Sequence, residues 1–131
     1  MPRATGTFDV KLAPLDHSAS DATMGRMSID KQFHGDLQGT SKGEMLTAGA
    51  SVKGSGVYVA IERLLGTIGD RTGSFALHHT GIMTRGTPSL RVTVVPDSGT
   101  EGFEGISGTL DIIIEGKQHS YVLDYAFEPS A

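Results

Sequence analysis

Hydrophobic and polar residues alternate along most of this chain. Between Thr5 and Leu12, Phe8, Val10 and Leu12 fall on one face and Thr7, Asp9 and Lys11 on the other, which predicts a half-buried strand. Thr23 to His34 alternates again, with Met27, Ile29 and Phe33 against Arg26, Ser28, Asp30, Gln32 and His34. Gly35-Asp36 then predicts a tight hairpin turn into Leu37–Ala48, a Gly-rich and weakly apolar segment. Ala13 to Ala22 and Gly49 to Gly56 read as loops.

Val57 to Leu65 has a β-branched start, short length and flanking glycines, which favour a strand over a helix. Ser74 to Thr80 returns after a turn centred near Gly69-Asp70. Leu90 to Val95 is stopped by Pro96, whose missing N–H cannot serve a ladder. Asp97 to Gly108 is a connection around Phe103, and Thr109–Glu115 and His119–Glu128 close a hairpin across Gly116-Lys117. In the last strand Tyr121, Leu123, Tyr125 and Phe127 share a face. About eight short strands and no helix longer than a turn predict an all-β sandwich or an up-and-down barrel. An eight-stranded barrel is wide enough for side chains or one small ligand.

Composition narrows the function. The chain has 131 residues, which predicts a single domain spanning 1–131 with a real core. Its eighteen glycines are roughly twice the usual share of about 7%, and they punctuate the strands as turns and bends. There are no cysteines, which excludes disulfides and thiolate sites. A net charge of −4 with dispersed basic residues predicts no nucleic-acid partner. The longest apolar run, Val57 to Ile61, is too short for a signal or membrane span, so a cytoplasmic protein with no membrane partner is expected. No P-loop, dinucleotide fingerprint or nucleophile elbow occurs; Gly105-Ile106-Ser107-Gly108-Thr109 fails at its last position.

Thr5-Gly6-Thr7-Phe8, Phe33-His34-Gly35-Asp36-Leu37-Gln38-Gly39 with Glu44, and the block from Glu62-Arg63 through Gly66, Gly69, Arg71 and Gly73-Ser74-Phe75 to His79 and Gly81 form a pattern. Val94-Val95-Pro96-Asp97-Ser98-Gly99-Thr100 and Tyr121-Val122-Leu123-Asp124-Tyr125 complete it. Together they resemble a bacterial family labelled domain of unknown function 3224, over nearly the whole chain. That family resembles allene oxide cyclases in fold, which implies an antiparallel eight-stranded barrel and, by the habit of that group, homo-oligomers. It implies no activity, since isomerases and cyclases of the wider group share the fold rather than an alignable motif.

The residues themselves offer one constellation with chemistry. With the turn near Gly69-Asp70, Glu62 falls opposite Leu77 or His78, so His79 lies within one or two cross-strand positions. A carboxylate orienting an imidazole is a general-base arrangement, and Tyr58 has the same strand parity as Glu62. The alternative is a structural pair, with Glu62 satisfied by Arg63 or Arg71. Glu44, Arg63, Tyr121 and Tyr125 complete the candidate ligand contacts, against the plainer readings of an exposed charge pair at Glu44 and a core or interface stripe at the tyrosines. His78 and His79 are neighbours on a strand and point to opposite faces, so no protein-bound metal is expected, nor any cofactor. Three functions follow in order: a barrel binding a small, mostly apolar molecule; a cofactor-free isomerase or cyclase using Glu62, His79 and Tyr58; and a non-catalytic homo-oligomeric module.

Overall fold

The alternating segments are strands, most of them longer than their apolar pattern alone suggests. The computed structural model describes residues 2–16 and 23–128. The strands are β1 (Arg3–Leu15), β2 (Met24–Gly35), β3 (Leu37–Gly49), β4 (Gly56–Ile68), β5 (Arg71–Thr84), β6 (Thr87–Val94), β7 (Thr100–Glu101), β8 (Ile106–Glu115) and β9 (Gln118–Phe127). β1 takes up Ala13 to Leu15 from the expected first loop, and residues 17–22 of that loop lie outside the described residues.

Each long strand pairs antiparallel with the next, and β1 pairs with both β2 and β9, so the sheet closes on itself. The result is an eight-stranded up-and-down barrel with the two-residue β7 added against β5. Closure removes the unpaired edges that an open sheet would expose. The sandwich alternative is therefore excluded. Among the described residues, no helix is long and apolar enough to cross a membrane.

Register decides which side chains point inward, and it keeps the expected parity. Phe8 faces Phe33, Ser41 faces Leu64 and Glu62 faces Leu77. One end of the barrel is filled. Phe33, Leu37, Leu64, Phe75, Leu77 and Leu123 pack there with almost no exposure. The Tyr121 hydroxyl accepts the N–H of Leu37 at 2.9 Å and donates to the carbonyl of His34 at 2.9 Å, tying β9 to the β2–β3 corner.

The connection between β6 and β8 folds beneath this end and plugs it. Phe103 N–H donates to Thr100 O at 2.9 Å, Gly102 N–H donates to Thr72 O at 2.9 Å, and β7 pairs with Gly73 and Ser74 of β5. The turn delivers a fully buried Phe103 edge-on against Phe75, 5.1 Å between centroids. Burial of one such ring contributes about 2–3 kcal/mol. Among the described residues, the opposite end holds the short turns at Arg85-Gly86 and Gly116-Lys117 and no counterpart of the Phe103 plug. The barrel is a cup with a packed base.

Candidate functional site

Above the packed half lies a cavity of about 230 Å³. Its walls are apolar, drawn from Phe8 and Val10 of β1, Ile29 of β2, Met45 of β3 and Ile112 of β8. Leu12, Leu90 and Ile114 line its rim and are 45%, 43% and 61% exposed. Four polar side chains also line it: Lys31, Tyr58, His79 and His119.

Three of these belong to one cluster organised by Glu62. Glu62 stands on β4 opposite Leu77, and His79 lies two residues further along β5, on the same inward face. Lys31 comes from β2, where it alternates with Ile29 and Phe33 into the interior, and Ser41 faces it across the β2–β3 ladder. The Lys31 ammonium donates to Glu62 Oε2 at 2.8 Å, and the Ser41 hydroxyl donates to Oε1 at 2.8 Å. His79 Nε2 is 2.7 Å from the same Oε2, yet it makes no well-aligned hydrogen bond. Even so, Nε2 is occupied by Glu62 at this separation, and the contact helps hold the carboxylate ionised.

Glu62 is fully buried, Lys31 is 6% exposed and His79 4%. Burial pushes the Glu62 carboxyl up and is the largest single influence. His79 and Lys31 together outweigh it, so the group is held down at about 2, against an ordinary 4.5. The carboxylate is thus ionised at neutral pH and its oxygens are already engaged. The Lys31 ammonium also lies 5.0 Å from the centre of the Phe8 ring and 5.9 Å from that of Phe33, where the ring faces favour a cation.

Two glycines make room for the cluster. Gly43 is the β3 partner of Glu62, and a Cβ there would overlap Ile61 O and crowd Glu62 Cα. Gly81 is the β5 partner of Tyr58, and a Cβ there would overlap the Tyr58 ring, which lies across it. This seats Tyr58 with its ring centre 6.3 Å from that of His79. Burial, then the charge of Glu62, pushes the Tyr58 phenol up, so at neutral pH it keeps its proton.

The structure therefore brings Glu62, His79 and Tyr58 together at one end of the cavity. It does not bring the other four candidates there. Glu44 is on the outer face, paired with Arg26 at 2.6 Å, and Arg63 is exposed on the same outer face because it alternates with the inward Glu62 and Leu64. Tyr121 has its hydroxyl consumed by the β2–β3 corner. Tyr125 packs edge-on against Phe127, 5.9 Å between centroids, away from the cavity lining. Neither arginine proposed for Glu62 reaches it; Arg71 lies over the Phe127 ring at 3.8 Å. The partner is Lys31, which the sequence reading missed together with Ser41. The available signal was parity, since Lys31 sits between Ile29 and Phe33 in an inward-facing series.

His78 and His79 do point to opposite faces, and among the described residues no group of three or more His, Asp or Glu side chains is placed to hold a metal. A wider depression of about 670 Å³ lies over the outer face of the sheet around Arg26, Glu44, Leu46, Ile61 and His78. Its charged groups, Arg26 and Glu44, are already paired with each other, so the interior is the better candidate.

Comparison with known proteins follows the same line as the fold. A family model described as protein of unknown function, DUF3224, matches residues 4–125. A crystal structure of a protein with unknown function from that family, from Shewanella oneidensis MR-1, is 47% identical to this chain. It covers 99% of this chain and 99% of its own, with a TM-score of 0.94. No curated protein matches the chain.

Proposed function

The chain belongs to the DUF3224 family, and from the geometry of its barrel we propose that it binds a small, mostly apolar molecule in the open half. The observation that carries this is the apolar cavity set directly on a buried, charge-balanced cluster, with Lys31, Tyr58 and His79 in its lining. A barrel meant only to be filled would place another aliphatic residue at position 31. Instead Lys31 and Glu62 carry a desolvation cost that stability alone does not require. Native mass spectrometry of protein purified from its host, before and after denaturation, tests the reading. A small molecule released on denaturation supports it. An empty chain that also fails to take up any small apolar compound overturns it.

Proton-transfer chemistry in the same cavity is the second reading, favoured by His79 facing the cavity beside a carboxylate. Glu62 would then be the positioning residue, because a carboxylate held at about 2 with its oxygens engaged is a poor base. His79 would move the proton and Tyr58 would donate to the substrate, in a cofactor-free isomerisation or cyclisation.

Self-association is compatible with either. The outward residues of β4 include Val57, Val59, Ile61 and Leu65, which are 41%, 46%, 64% and 60% exposed, and Leu46 of β3 extends the stripe. An exposed apolar stripe of this kind, interrupted by Arg63 between Ile61 and Leu65, suits a second copy of the same chain.

A further inference from the structure

The polar groups that face the cavity are all able to donate, while the one carboxylate nearby is spent. Glu62 accepts from Lys31 and Ser41 and lies against His79, and no Asp or Glu lines the cavity. Lys31 has ammonium hydrogens beyond the one it gives to Glu62. Among the described residues the Tyr58 hydroxyl has no hydrogen-bond partner, and its proton is retained at neutral pH. His79 stands beside them with its Nε2 2.7 Å from Glu62 Oε2. Such an end calls for an acceptor atom on the ligand, since a buried donor left unsatisfied is costly.

Charge then separates the possible acceptors. The Lys31 ammonium already balances the Glu62 carboxylate. A carboxylate ligand would bring an uncompensated anion against apolar walls, whereas a neutral oxygen brings none. Size gives a further limit: about 230 Å³ is some eight times the liquid volume of a water molecule, room for roughly eight non-hydrogen atoms.

We propose that the cavity takes a short aliphatic or alicyclic molecule bearing one neutral carbonyl oxygen, with the oxygen directed to Tyr58 and Lys31 and the hydrocarbon against Val10, Ile29 and Ile112. This rests on the ligand-binding reading above and names the class of ligand for the same site.

Methyl pentyl ketone, heptane and heptanoate are three probes of nearly equal size, and their binding to the full chain is followed by NMR titration of the amide spectrum. The ketone is expected to bind more tightly than either of the others. Tyr58→Phe, which keeps the ring over Gly81, is expected to weaken the ketone about three- to tenfold and to leave heptane unchanged. Equal affinity for ketone and heptane, or a Tyr58→Phe variant that binds the ketone as wild type does, overturns the acceptor assignment while leaving the cavity reading intact. Tightest binding by heptanoate overturns the neutral-oxygen assignment in favour of an anion. Failure of all three probes to bind removes the ligand-binding reading itself.

Discussion

Replacing Lys31 by Met tests whether the buried cluster is held together by charge. Met keeps the aliphatic stem beside Phe8 and Phe33 but leaves the Glu62 carboxylate in a nearly dry interior with only Ser41 and His79. The depression of the Glu62 carboxyl from 4.5 to about 2 corresponds to on the order of 3 kcal/mol of stabilisation of its ionised form. Removing one partner of a buried pair costs about 3–5 kcal/mol, because the stranded charge remains. Glu62→Gln should cost a similar amount by stranding the ammonium. The double variant Lys31→Met/Glu62→Gln strands nothing, and the introduced amide retains an oxygen for Ser41. It should therefore be more stable than either single variant by at least about 2 kcal/mol.

Urea unfolding at neutral pH of the four proteins measures the cycle. A coupling within about 0.5 kcal/mol of zero would refute the reasoning, because it would mean that the two charges do not depend on each other. An acid series supplies an independent check. A carboxyl whose folded value lies below its unfolded value contributes fully above the unfolded value and loses that contribution as pH falls toward the folded one. For Glu62 that window runs from about 4.5 down to about 2. Wild-type stability should therefore carry a component on the order of 3 kcal/mol lost across this range, and the double variant should lack it. A double variant with the same acid loss as wild type would assign the loss to other carboxyls.

Two further outcomes follow from other parts of the barrel. Tyr121→Phe should leave the Leu37 N–H and the His34 carbonyl without their partner and lower unfolding stability by about 1–3 kcal/mol, while a ligand in the cavity should bind unchanged. Ile61→Lys places a charge at the most exposed point of the outer β4 stripe; if that stripe joins two copies, light scattering should show the smaller species, with the unfolding midpoint of the fold itself little altered.

How much was legible in the sequence depended on whether the information was local. Period-two alternation is a property of each strand alone, so the strands and the shared parity of Tyr58 and Glu62 could be read directly, and the turn near Gly69-Asp70 brought His79 close to them. The ends of β4 and β5 were not legible, because Gly66 and Gly73 read as turn residues. They face each other across the two strands, where the backbones of β3 and of the β7 segment come too close for a Cβ. Glu44 and the tyrosines follow their plainer readings, a surface charge pair and core packing, and Arg63 faces outward. A barrel has an inside and an outside as well as two ends, and alternation within one strand identifies neither which face is inner nor which end is plugged. Tyr121 and Tyr125 have the same parity, yet the first is locked to the β2–β3 corner and the second stacks on Phe127.

Lys31 shows where local reading stops. Its neighbours Ile29 and Phe33 mark position 31 as inward, and a lysine there looks like an exception to be ignored until the partner is known. That partner comes from β4, 31 residues away, and the two strands are not adjacent in the barrel. β3 alone separates the two strands, and the residue it sets beside Glu62 is the glycine at position 43, so the ammonium reaches the carboxylate across the inner face of β3. The charge that looked wrong for a core strand and the carboxylate that looked available for chemistry answer each other, and His79 leans on the same carboxylate from β5.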